Sequence, residues 1–109
     1  MATNYKVLGQ SNPAATTATT LYTVPASTQT IVSTVTVTNQ AASAATYRIS
    51  IRIAAAADNA KQYIAYDVSL PANSSDTLTL GLTLGATDLL VVYASSATMS
   101  FSAFGSEIS

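Results

Sequence analysis

Histidine, cysteine and tryptophan are absent from this chain of 109 residues. Without cysteine there is no disulfide framework, no thiolate nucleophile and no cysteine-based zinc or iron–sulfur site. Without histidine the commonest general base, the serine–histidine pairing and the commonest metal ligand are all missing. Charge is scarce as well. Four Lys and Arg against five Asp and Glu make 8% charged residues and a formal net charge of −1, where an average soluble domain carries about a quarter. Four basic side chains cannot build the phosphate-neutralising patch on which nucleic-acid affinity depends. Long apolar runs are lacking too. The 49% hydrophobic content is cut into short pieces, much of it alanine, and none nears the ~18 residues of a membrane span. The opening Met1-Ala2-Thr3-Asn4-Tyr5-Lys6 has no apolar stretch of the signal-peptide kind. The expectation is a protein made in the cytoplasm, with no membrane, nucleic-acid or cofactor partner.

What remains is threonine, serine, alanine and β-branched residues, arranged with a period of two. In Tyr47-Arg48-Ile49-Ser50-Ile51-Arg52-Ile53, Tyr47, Ile49, Ile51 and Ile53 fall on one face of a strand and Arg48, Ser50 and Arg52 on the other. Between Thr30 and Asn39, the residues Ile31, Ser33, Val35 and Val37 share one face and Thr34, Thr36 and Thr38 the opposite one. Between Thr77 and Leu84, Leu78, Leu80, Leu82 and Leu84 alternate with Thr79, Gly81 and Thr83. Further strands are expected at Gln62–Leu70, with Ile64, Tyr66, Val68 and Leu70 inward; at Leu89–Ala94, buried on both faces; and at Thr98–Phe104, where Phe104 breaks the alternation. Tyr5–Leu8 and Thr20–Val24 read as short edge strands. Asn12-Pro13, Val24-Pro25, Leu70-Pro71 and Gly85 punctuate them where turn chemistry belongs. Ala54–Ala60 is too short for a stable helix and reads as a loop or a single turn.

About eight strands at this spacing predict an all-β antiparallel two-sheet β-sandwich of jelly-roll or other Greek-key topology. The chain, 1–109, reads as one domain, with Ala14–Thr20 a loop or arm.

Candidate chemistry is thin. Asp58, Asp67, Asp76, Asp88 and Glu107 are not paired by spacing, and several sit where turn capping explains them. No acidic loop suggests calcium, and Lys6 and Lys61 are the only amines that could activate a serine. No catalytic, metal or cofactor-binding residue is expected, and no enzyme. The threonine row Thr34, Thr36, Thr38 is single, without the repeated rungs of an ice-binding surface. Three side chains stand out as partner contacts. Arg48 and Arg52 share a strand face about 13 Å apart, suited to an acidic partner surface or simply to keeping sheets from stacking. Tyr63, out of phase with Ile64 and Tyr66, reads as the best exposed aromatic.

Leu21-Tyr22-Thr23-Val24-Pro25-Ala26 followed by Val35-Thr36-Val37-Thr38-Asn39 resembles small virion structural proteins of tailed bacteriophages, those of cyanobacteria and other aquatic bacteria above all. Tyr5-Lys6-Val7-Leu8-Gly9-Gln10, Tyr63-Ile64-Ala65-Tyr66-Asp67, Leu80–Leu84, Asp88 and the ending Phe104-Gly105-Ser106-Glu107-Ile108 are similar too. The resemblance spans nearly the whole chain. It rests on scaffold residues and brings no catalytic motif with it. It implies a β-sandwich in the virion, bound to the major capsid protein or other virion proteins, most of all a capsid decoration (cement) protein. A homo-oligomer is expected, a trimer being the state that matches a capsid three-fold axis. The alternatives are a tail, neck or fibre component, or a receptor- or carbohydrate-binding module.

Overall fold

In the computed structural model, which describes residues 2–109, eight antiparallel strands form two four-stranded sheets. The strands are β1 (Thr3–Ser11), β2 (Thr19–Thr23), β3 (Gln29–Asn39), β4 (Ala45–Arg52), β5 (Tyr63–Leu70), β6 (Ser74–Leu84), β7 (Leu89–Ala94) and β8 (Met99–Ile108). Sheet I runs β1-β8-β3-β6 and sheet II runs β2-β7-β4-β5. Chain order changes sheet at every step except β4 to β5, the jelly-roll pattern: the first and last strands pair, then the second and seventh, so that two Greek keys wrap one core.

Beta-branched and aromatic side chains on alternate positions supply that core. Val32, Val35, Val37, Phe101 and Ala103 from sheet I meet Tyr47, Ile49, Leu90, Val92 and Ala94 from sheet II. Tyr47 and Phe101 touch edge to face with ring centres 6.2 Å apart, a favoured aromatic geometry. The fully buried Asn39 ends β3. Its amide donates to the carbonyls of Ser43 and Leu70, and its oxygen accepts from the Ala41 amide, which ties two connections at one end of the sandwich. The Asn12–Ala18 stretch lies outside the strands but is docked, Thr16 donating its amide to the Ala94 carbonyl. Thr19 and Thr20 already belong to β2.

Four expectations about side-chain direction fail, each at a place where the strand path departs from regular alternation. Ser33 is an extra residue in β3 relative to β8, so the phase inverts there: Thr30 and Val32 point in, whereas Ile31 and Ser33 point out. In β6 the register shifts at Leu80-Gly81, with Gly81 at φ +63°, and Leu80 turns outward. In β5 it shifts on both sides of Ala65, and Asp67 sits at φ +50°. Ala65, Val68 and Leu70 pack on the core, while Ile64 and Tyr66 are exposed. Ile53 lies past the end of β4, in a 3-10 turn whose Ala54 is left-handed, and is 72% exposed. One extra residue exchanges the two faces of a strand, because the side-chain period is two.

The irregularities have a pattern. Leu8 is extra in β1 and Leu21 in β2, and with those in β5 and β6 every edge strand of the sandwich carries one. Bulged edges are poor templates for an added strand. Gly105 marks the tightest passage inside sheet I, where a Cβ would collide with the Ile31 carbonyl opposite the β3 bulge.

Candidate interaction surfaces

The outward side chains of the two sheets differ in kind. Cross-strand register places Tyr5, Ser106, Ile31 and Thr83 in one outward row of sheet I. The next row holds Val7, Phe104, Thr34 and Thr79, and the third Gln10, Ser102, Thr36 and Thr77. Among the described residues none of these outward positions is charged. Charged residues of sheet I all have inward phase. Asp76 accepts the Tyr47 hydroxyl at 2.9 Å. Glu107, beside Thr30 at one end of the sandwich, pairs with Lys6 at 3.0 Å and accepts the Tyr22 hydroxyl. The outer face is therefore neutral, hydroxyl-rich at one end and apolar at the other, where Tyr5 (84% exposed), Val7, Ile31 and Phe104 meet.

The outer face of sheet II is polar and interlocked. Arg48 of β4 lies opposite Tyr93 of β7, and its guanidinium carbon stands 4.3 Å from the centre of that ring and 4.2 Å from that of Tyr66. A flat, weakly hydrated cation is suited to such a position between two π faces. The same guanidinium donates from Nε to Asp67 Oδ1 at 2.6 Å and from Nη2 to Asp67 Oδ2 at 3.3 Å. The left-handed turn of Asp67 brings its carboxylate into reach, and the paired hydrogen bonds hold its pKa below the usual carboxylate range. Tyr66 meets Tyr63 at right angles, centres 5.0 Å apart. Tyr63 donates its hydroxyl to Asp58 at 2.9 Å, and burial and that carboxylate raise the phenol's pKa. Arg52 Nη2 is 3.8 Å from Asp58. A 3-10 turn at Ala60–Gln62, closed by a reciprocal Asn59–Gln62 cap, fixes the connection that carries Asp58.

The three residues singled out from the sequence, Arg48, Arg52 and Tyr63, thus lie in one cluster, joined through Tyr66 and Asp58. Their surroundings change their meaning. Both arginines have a carboxylate partner within the chain, so neither is a free cation awaiting an acidic surface. Tyr63 is half-buried, and Tyr66 is the more exposed aromatic at 57%. Tyr66 was hidden by the expected alternation with Ile64 and Val68. The readable sign was Asp67, a residue that strands disfavour and that tolerates the left-handed region. Tyr93 carried no such sign, because only strand order brings it to Arg48.

All five carboxylates have structural partners. Besides those above, Asp88 accepts from the Gly85 amide at 2.8 Å and the Ala54 amide at 2.9 Å. Among the described residues no three acidic side chains gather at one point, and no helix is long and apolar enough to cross a membrane. No family model, no curated protein and no solved structure matches this chain.

Proposed function

We propose that this protein is a non-enzymatic structural component of a phage virion, a capsid decoration protein that docks by the outer face of sheet I. The observation that carries the reading is the absence of charge from that face together with its apolar corner at Tyr5, Val7, Ile31 and Phe104. A neutral face has no ionic groups to desolvate on contact, and a solvated sheet face ordinarily carries some. Its size fits. Four strands about 4.8 Å apart and about 33 Å long present on the order of 600 Å², close to the roughly 800 Å² each partner contributes to a standard interface.

Two further observations support it. The bulged edges disfavour attachment by strand addition, which leaves the faces to do the binding. The structural engagement of each carboxylate favours a binding role over a catalytic one. The virion itself enters through the resemblance of Leu21–Ala26 and Val35–Asn39 to phage structural proteins. Neighbouring capsid subunits, and copies of this chain around a symmetry axis, are the partners proposed.

Reconstruction of the particle tests this. Density for the jelly roll on the capsid shell, in copy numbers on the order of hundreds and with sheet I turned inward, is expected. Absence from purified particles would eliminate the reading. Density at the tail in a few copies would replace decoration by a tail role.

A further inference from the structure

The opposite face, that of sheet II, carries a groove. It measures about 580 Å³ and is lined by Arg48, Asp58, Ala60, Tyr63 and Tyr66, within the size range of small-ligand sites. Tyr66 and Tyr63 form a right-angled aromatic corner, in which Arg48 covers one face of Tyr66 and Tyr66 remains 57% exposed. Arg48 stacks on Tyr66 and is itself pinned by Asp67 and Tyr93, so that ring is held before any ligand arrives. Pre-ordered tyrosines contribute contact area at little entropic cost.

Hydrogen-bonding capacity is left over at the rim. Arg48 uses Nε and Nη2 on Asp67, and its Nη1 makes no hydrogen bond among the described residues. Asp58 uses Oδ1 for Tyr63 and Arg52, and its Oδ2 makes none. One donor and one acceptor therefore flank an aromatic corner whose charges largely cancel, Arg48 against Asp67 and Arg52 against Asp58. A strongly anionic or cationic ligand would find little net field. A neutral molecule with an apolar ring face and adjacent hydroxyls fits all three features at once: its C–H face lies on Tyr66, and its hydroxyls donate to Asp58 and accept from Arg48.

We infer that this groove is a binding site for a neutral saccharide of one or two sugar rings. The inference does not depend on a virion role. Were sheet I docked on a shell, the groove would face outward.

The test is a nuclear magnetic resonance titration of the intact chain with maltose, cellobiose, lactose and chitobiose, with galacturonic acid as the acidic comparison. At least one neutral disaccharide is expected to shift the Tyr66 and Ala60 resonances saturably. Ala60→Trp, at an exposed position, should fill the groove and abolish those shifts while the rest of the spectrum stays folded. Asp58→Asn should weaken binding about tenfold, the scale of one charge-assisted hydrogen bond. The inference is overturned if no neutral disaccharide shifts these resonances saturably, if the shifts survive Ala60→Trp, or if galacturonic acid alone binds. Failure here leaves the docking role of sheet I standing, because none of these variants touches that sheet.

Discussion

The two outer faces of the sandwich are built from the same kind of strand and have opposite chemistry. Sheet I presents threonine, serine and an apolar corner with no charge. Sheet II presents two arginines, two carboxylates and three tyrosines tied to one another. Outward-phase residues are buried on both sheets, Ser106 on sheet I and Ser50 and Val91 on sheet II. On sheet I, Tyr5 stands almost free. An overall charge of 8% conceals this division. The few charges are not spread thinly but withdrawn from one face and concentrated on the other face and the ends.

The largest effect is expected from putting charge on the uncharged face. Val7→Lys combined with Phe104→Lys should leave the circular dichroism spectrum native, because both side chains point outward. It should weaken attachment or self-association more than about a hundredfold, the scale of roughly 3–5 kcal/mol for an unpaired charge buried at an interface. Tyr66→Ala on sheet II should leave attachment unchanged. Sedimentation and particle-binding assays read both.

Next in size are the effects of pH, which separate the interlocked groups from the rest. Tyr22 is pushed up to about 12 by burial and by its hydrogen bond to Glu107, and burial with Asp76 raises Tyr47 further. The unfolded chain loses these protons near pH 10. The stabilisation is therefore complete below pH 10 and drains away as pH rises through the folded values. Tyr22→Phe should flatten the fall between about pH 10 and 12. At the acid end, Glu107 is held low by the Tyr22 hydroxyl and then Lys6, and Asp67 by Arg48. Their contribution is present above about pH 4 and lost as pH falls through the folded values. Denaturation midpoints measured across pH check both limbs.

A smaller effect distinguishes a stacked cation from a solvated one. Arg48→Lys keeps the charge but loses the flat fork that fits between Tyr66 and Tyr93, so it should lower the melting temperature. Tyr5→Ser, on the open face, should leave it unchanged. Smallest of all is the response to salt. With no charge on the outer face of sheet I, attachment should change by less than about twofold between low and physiological ionic strength. Dissociation at moderate salt would mean that sheet II is the docking face.

The layering of this fold was legible in the sequence because period-two patterning reports which strands are half-buried. All eight strands lie where alternation and turn residues put them, apart from their ends: β1 and β8 are longer than expected, and β2 begins one residue earlier, β4 two and β6 three. Direction within strands was legible only up to each bulge. Gly81 and Asp67 did announce their irregularities, since glycine or aspartate inside a strand signals a break in pairing. Ser33, Leu8 and Leu21 gave no sign, because serine and leucine fit a regular strand as well as a bulged one. The candidate sites divide in the same way. Arg48, Arg52 and Tyr63 could be named from their phase along the expected strands. Tyr93, Tyr66 and Asp67, which give those residues their chemistry, depend on strand order and on a bulge. The neutral face required all four strands of sheet I to be aligned before its lack of charge could be seen.

Residue-level oxidative footprinting of the assembled form against the free chain bears most directly on the account. Tyr5, Val7, Ile31 and Phe104 should become protected on assembly, while Tyr63 and Tyr66 keep their reactivity. Protection of Tyr63 and Tyr66 with Tyr5 and Phe104 unchanged would contradict it.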